Sequence, residues 1–229
     1  MKISISKHVL RSINDVNIGE IDAAILSACI AIDATARKLF PNEKYNGLRF
    51  KNCLRKYYWI IEPMIGAGIN LEETRFTNLT IKGNRDPDFA DVIYHIFRCA
   101  HIHGDEISEN YSLTSTTFRN LSHWQLLRGE LHMPDRLLWA LLGVSVFASV
   151  NRRETSAGTY YLSLGDDHFA ISKWWGREND FRKFTSKYNV TRVKLDRLDK
   201  LEALSGDLVP PDRTEIVIIQ QPHAMKDEQ

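Results

Sequence analysis

From Asp86 to Gly104 the chain reads Asp-Pro-Asp-Phe-Ala-Asp-Val-Ile-Tyr-His-Ile-Phe-Arg-Cys-Ala-His-Ile-His-Gly, and its apolar positions Val92, Ile93, Ile96, Phe97 and Ala100 recur at three- and four-residue spacing. That spacing gathers them on one side only in a helix. Asp86 suits an N-cap, Pro87 a first-turn position that needs no N–H, and Gly104 a stop. A helix with one apolar stripe must bury it against other helices, so the segment commits the chain to a helical assembly.

The same period recurs on both sides. Ile21, Ala24, Ile25, Ala28, Ile32, Ala36, Leu39 and Phe40 make a stripe that ends at Pro41, with Asn17 able to cap and Glu20 to reach back. The polar members Asp22, Asp33 and Arg37 read as its solvated face. A second helix is expected from about Leu48 to Ile65, with Phe50, Leu54, Tyr57, Tyr58 and Ile61 inside and Gly66 and Gly68 beyond its end. Its interleaved Arg49, Lys51, Arg55 and Lys56 fit either a nucleic-acid groove or cations snorkelling over a core. Residues 69–85 read as a loop with a short strand near Leu79–Ile81, and residues 1–16 as a strand or an arm.

Beyond the central helix, Ser108–Thr117 reads as a linker and Phe118–Leu131 as a helix with Trp124, Leu127 and Leu131 inward. Pro134 is placed to open a further helix in which Leu137 through Val150 are apolar nearly all round. That run is shorter than the roughly 20 residues a bilayer span needs, so it reads as a core helix or a subunit-contact helix. From Glu154 the character changes. Thr159–Leu164 and His168–Ser172 predict a hairpin about Gly165-Asp166-Asp167, followed by a helix bearing Trp174, Trp175, Phe181, Phe184 and Tyr188. Strand-like runs stand at Thr191–Leu195 and Glu215–Ile219, and Gln220–Gln229 reads as a disordered tail. The expected fold is thus mainly α, a helical domain over residues 1–153 and a smaller α/β appendage over 154–229.

Arg98 and His103 are the residues in this frame that carry chemistry. An Arg can grip a phosphodiester while a His moves a proton near neutral pH. With 17 Arg and 8 His in 229 residues the spacing alone is common, so context has to identify it. Residues five apart on an α-helix also differ by roughly 140° in azimuth. An unwound helix end, or two copies facing across a twofold axis, would bring them together.

In that context, the Arg-x4-His near the end of the third main helix resembles the HEPN family of helical nucleotide-binding and ribonuclease domains, over roughly residues 17–153. The resemblance implies a HEPN-like helical bundle that forms a homodimer. It implies a metal-independent endoribonuclease that attacks through the 2′-hydroxyl, in bacterial defence or a toxin–antitoxin pair with an antitoxin-like partner. Arg98 would steady the phosphate and His103 would transfer the proton, with His101 and Cys99 as candidate helpers; Cys99 stands where family members commonly carry Asn. The alternative is a non-catalytic dimeric module that binds nucleotides or partners.

Composition limits these expectations. Lys plus Arg number 30 against 29 Asp plus Glu, so any RNA affinity must be local. Between Lys173 and Lys200 nine cations face four acids beside five aromatics, which nominates Trp174, Trp175, Arg177, Arg182 and Lys183 as an RNA-binding surface. An ordinary small core with a basic rim has the same composition. No metal or other cofactor is expected: His95, His101, His103, His123 and His132 offer no His-x3-His or His-Glu-x2-His pair. Cys29, Cys53 and Cys99 form no even set, and the N-terminus lacks a long apolar core, so a cytoplasmic protein without a membrane anchor is expected.

Overall fold

The computed structural model describes residues 4–66, 69–76, 81, 83–84, 86–99, 111–114, 125–127 and 130–188, with backbone alone at 98–99, 111–114, 125–127, 130–132 and 188. Its first helix, α1 (Ile5–Asn17), occupies the segment that the sequence left between strand and arm. Ile5, Val9 and Ile13 recur every fourth residue and are buried, while the Ser4 side chain accepts from Lys7 N and caps the start. Asn17 therefore closes α1 and does not open the next helix. Gly19, at φ 83°, turns the chain, and α2 (Ile21–Leu39) follows from Glu20 without a side-chain cap.

α1 packs along α2, where Ser12 Oγ donates to Ala24 O at 2.7 Å. A polar lock joins the far end of α2 to the rest. Lys38 Nζ donates to Glu154 Oε1 at 2.9 Å and to Asn151 Oδ1 at 3.1 Å, and Asn151 Nδ2 donates to Thr35 Oγ1 at 2.8 Å. Ser6 N donates to the other Glu154 oxygen. Asp33, expected on a solvated face, is 9% exposed and sits with Arg37 at 3.5 Å.

The expected Leu48–Ile65 helix is two helices, α3 (Asn46–Lys56) and α4 (Tyr58–Ile65), broken at Tyr57 and stopped at Gly66. Tyr57, Tyr58 and Phe50 are all buried, and their bulk turns the chain into the core rather than along a surface. In the loop region, Ile81 and Asn84 form an isolated bridge. The central segment begins with α5 (Phe89–Ile93), capped by Asp88 rather than Asp86, and passes directly into a π-helix over Tyr94–Cys99.

Of the helix expected at Phe118–Leu131, residues 118–124 and 128–129 lie outside the described residues, and the described remainder is strand rather than helix. β1 (Tyr111–Thr114) pairs in parallel with β3 (Glu130–Pro134), and β2 (Gln125–Leu127) pairs antiparallel with the other edge of β3. Pro134 accordingly ends a strand, and α6 (Arg136–Phe147) starts after Asp135. α6 is buried nearly all round and packs on α2 and α4, so it is a core helix and its apolar area is spent within the chain.

A short 3₁₀ turn (Ser149–Asn151) leads to the expected hairpin, β4 (Tyr161–Leu164) with β5 (Asp167–Ala170), turning at Gly165 with φ 59°. Then come α7 (Ile171–Trp174), α8 (Glu178–Thr185) and a 3₁₀ turn at Ser186–Tyr188. The fold is mostly helical with a small two-stranded sheet in its C-terminal part. Leu162, Leu164, Phe169, Ile171 and Phe181 belong to the same buried cluster as Phe147 of α6 and the α1–α5 residues. The strand-like runs expected near 191–195 and 215–219, and the tail, lie outside the described residues.

Candidate functional site

The described residues expected to carry chemistry fall in two places, the central segment that contains Arg98 and the region around the junction of α4 with α8. The central segment is held from its N-terminus. Asp88 accepts from Asp91 N at 2.9 Å and the Asp91 side chain accepts from Asp88 N, a reciprocal cap for α5. Both carboxylates also face cations from α3. Arg55 Nε lies 2.7 Å from Asp88 Oδ2, Lys51 Nζ 2.9 Å from Asp91 Oδ1, and an Arg55 terminal nitrogen 3.5 Å from the same Asp91 oxygen.

Lys51 and Arg55 are one turn apart on α3, and Asp88 and Asp91 three apart on the opposite partner, so the two pairs meet face to face. Burial pushes the Asp91 carboxyl up, but the Lys51 hydrogen bond and charge, the Asp88 backbone N–H and Arg55 outweigh it and hold it below its usual range. Tyr58 OH accepts from Ala90 N at 3.0 Å. Burial, then the Asp88 charge, drives that phenol pKa upward and keeps it neutral.

This clamp fixes the start of a π-helical stretch. Tyr94 stacks at a tilt on Phe50 with centroids 5.7 Å apart, and Lys51 Nζ lies 5.9 Å above the same ring. The ring also fills the notch at Gly47, where an added Cβ would come within 2.7 Å of the Tyr94 hydroxyl. His95 packs edge-on against Tyr94. Arg98 and Cys99 are the last two residues of the π-helix Tyr94–Cys99; His101 and His103 lie outside the described residues. Within that helix, Tyr94 and Cys99 stand in the i to i+5 relation of a π-helix.

The nominated RNA-binding residues are placed differently from one another. Trp175 is 6% exposed with Nε1 donating to Ser156 Oγ at 3.2 Å, so it is a core residue and presents no face to a base. Trp174 is partly buried against Phe147, Phe169 and Phe181, and the Arg177 guanidinium covers its ring at 4.5 Å while bonding Asp180. Arg182 and Lys183 are exposed. Arg182 Cζ lies 3.9 Å from the centroid of Trp59, a residue on α4 that the sequence reading passed over.

The same reading missed Glu178. Its Oε2 accepts from Tyr57 OH at 3.1 Å and from Ser149 N at 3.0 Å, joining the α3–α4 break and the 3₁₀ turn after α6 to α8. Burial pushes this carboxyl up, but those two donors and the charge of Lys56 hold it down. No local motif announces such a group, because its partners come from 29 and 121 residues away. A Ser163 Oγ to His168 Nδ1 contact of 2.8 Å is a cross-strand pair of the hairpin whose serine is 1% exposed, and it reads as structural. Among the described residues no group of three or more His, Cys, Asp or Glu could hold a metal ion, and no helix is long and apolar enough to cross a membrane.

Residues 4–200 match the family model described as Rv1289. The chain belongs to the Rv1289 family. This Rv1289-family chain is 34% identical over 202 residues to "Uncharacterized protein Rv1289" of Mycobacterium tuberculosis, an alignment spanning 87% of this chain and 94% of that one. It has the same identity and coverage with "Uncharacterized protein Mb1320" of Mycobacterium bovis. No solved structure matches it. The resemblance to HEPN domains is thereby corrected: the family found over 4–200 is Rv1289, and an Arg-x4-His on an amphipathic helix was too common a pattern to assign membership. The roles of Arg98 and His103 must rest on their own chemistry.

Proposed function

We propose that this Rv1289-family chain is a metal-independent endoribonuclease in which Arg98 steadies the scissile phosphate and His103 transfers the ribose-hydroxyl proton. The observation that supports the reading most is the π-helix Tyr94–Cys99, which carries Arg98. Such winding is rare, weaker than α-helix, and frequent at functional sites. Here it is tied down by the Lys51, Arg55, Asp88 and Asp91 clamp and by the Tyr94 ring, so the neighbouring structure holds it in place.

The chemistry follows from the two side-chain types. A neutral imidazole accepts the 2′-hydroxyl proton, the 2′-oxygen attacks phosphorus, and the 5′-oxygen leaves with a proton returned by an imidazolium. A planar guanidinium offsets the charge of the crowded phosphorane and binds two of its oxygens at once. RNA is cut and leaves a 2′,3′-cyclic phosphate; DNA, lacking the nucleophile, is not. A homodimer would contribute a second His103 as the acid, and His101 is the alternative carrier within one chain.

The reading places the chain in the cytoplasm, where RNA and reduced thiols such as buried Cys29 and Cys53 coexist. An antitoxin-like partner would be needed to spare cellular RNA. Induced expression that arrests growth for wild type but not for His103→Ala is the expected outcome in cells; equal arrest would reject this part. In vitro, a folded wild-type protein that leaves RNA intact in chelator favours the non-catalytic partner-binding module instead.

A further inference from the structure

α8 and the turn after it carry an exposed stripe, Asn179, Arg182, Lys183, Ser186 and Lys187, at three- and four-residue spacing. The opposite side of the helix faces inward through Phe181, which is 0% exposed. Lys56, exposed at the end of α3, belongs to the same junction, since its charge acts on Glu178 and its Nζ lies 5.9 Å from the centroid of Tyr57. Arg182 sits over Trp59, and Lys187 lies 5.1 Å above Phe184. None of Lys56, Arg182, Lys183 and Lys187 has a carboxylate within salt-bridge distance among the described residues.

The acids nearby are otherwise engaged. Glu178 accepts from Tyr57 and Ser149, and Asp180 bonds Arg177 at 2.8 Å on another side of the helix. In a chain that is nearly neutral overall, these four cations thus stand without a carboxylate at ion-pair distance among the described residues, the nearby Glu178 being held by Tyr57 and Ser149. Each ring beneath them is enclosed by its own neighbours. Trp59 packs against Phe181 at 6.1 Å, and Phe184 against Phe169 at 4.8 Å. The rings orient Lys56, Arg182 and Lys187.

We infer that Lys56, Arg182, Lys183 and Lys187 form a sequence-independent docking surface for the phosphate backbone of single-stranded RNA. This deepens the RNA-cleavage reading and rests on it for the choice of polyanion. A membrane surface fits less well, because an interfacial helix needs its apolar face free for the acyl boundary and α8 has buried that face in the core.

The test uses full-length His103→Ala protein, which spares the substrate, and a fluorescein-labelled 12-mer of oligouridylate read by anisotropy. Four phosphate contacts give a slope of log affinity against log salt of about −3, from about −0.7 per contact on a single strand, so affinity should drop roughly 50-fold between 50 and 200 mM salt. Replacing the four cations by Gln should abolish most of the slope and weaken binding at 50 mM salt by at least tenfold. Lys7→Gln with Lys44→Gln, elsewhere on the surface, should change it less than about twofold.

Lys183→Glu alone should weaken binding severalfold; it touches no ring and no carboxylate among the described residues, so it tests the surface without a packing change. Unchanged binding in both site variants, or binding only to phosphatidylserine vesicles, overturns the inference. RNA cutting by wild type with site-independent binding would sink this surface and leave the Arg98 reading standing. Site-dependent binding without cutting would do the reverse.

Discussion

Two glycines separate close packing from backbone strain. At Gly47 an added Cβ meets the end of a tyrosine side chain, which can tilt at the expense of its stacking on Phe50. At Gly176 it meets the backbone of Arg152, and φ is +70°, where an L side chain is strained in any case. Gly176 N also donates to Val146 O at 2.8 Å, which fixes the approach. Gly47→Ala should therefore cost about 1–3 kcal/mol and Gly176→Ala more than that. Urea denaturation orders the two, and a smaller loss at Gly176 would contradict the packing described.

Asp91, Glu154 and Glu178 all have folded-state pKa values lowered by partners that outweigh their burial. A carboxyl whose folded pKa lies below its unfolded value stabilises above the unfolded pKa and loses that contribution as pH falls through the folded one. The starting values are 3.8 for Asp and 4.5 for Glu, so stability should fall as pH is lowered below about 4.5. Glu154→Gln should lower the thermal midpoint at neutral pH and flatten its acid dependence, because the Lys38 and Ser6 contacts no longer reward ionisation. An acid profile identical to wild type would refute that role.

Among the elements, helices with strong local stripes were readable and elements built on distant pairing were not. α2, α6 and the β4–β5 hairpin stand where periodicity and the Gly165-Asp166 turn put them. α1 was equally legible in retrospect, since Ser4 and the Ile5, Val9, Ile13 spacing are a start signal and a stripe within 13 residues. Phe118–Leu131 misled because Trp124, Leu127 and Leu131 mimic a helical period, while the strands Gln125–Leu127 and Glu130–Pro134 are specified by pairing with each other and with Tyr111–Thr114. The basic residues of α3 read either as a groove or as cations snorkelling over a core; two of them hold Asp88 and Asp91, a match invisible until α3 and α5 are side by side.

The α4–α8 junction has its own test. Phe181 stacks on Phe147 at 3.7 Å and meets Phe169 edge-on, so Phe181→Ala should cost about 3–5 kcal/mol in chemical denaturation. A loss under about 1 kcal/mol would mean that α8 is not docked as described.

At the scale of the whole molecule, the change of character at Glu154 does not divide the core. Phe147 from the helical part packs on Phe169, Trp174 and Phe181 from beyond it, and Trp175 is buried in the same core cluster. Calorimetry should therefore show one cooperative transition, and a chain ended at Arg153 should be strongly destabilised because it uncovers Phe147. Two separated transitions would contradict the shared core.

The central claim is chemical: Arg98 and His103 handle an RNA phosphodiester at the end of a clamped π-helix. It is tested most directly by incubating the purified full-length chain with single-stranded RNA in excess chelator and analysing the new ends, alongside Arg98→Ala and His103→Ala proteins shown to be folded. The account predicts 2′,3′-cyclic phosphate ends from wild type, no cutting of the DNA counterpart, and losses of roughly 10²-fold or more in each variant, the scale of one acid–base or charge-stabilising group. Cleavage by folded His103→Ala at the wild-type rate, or no cleavage by wild type at all, would contradict it.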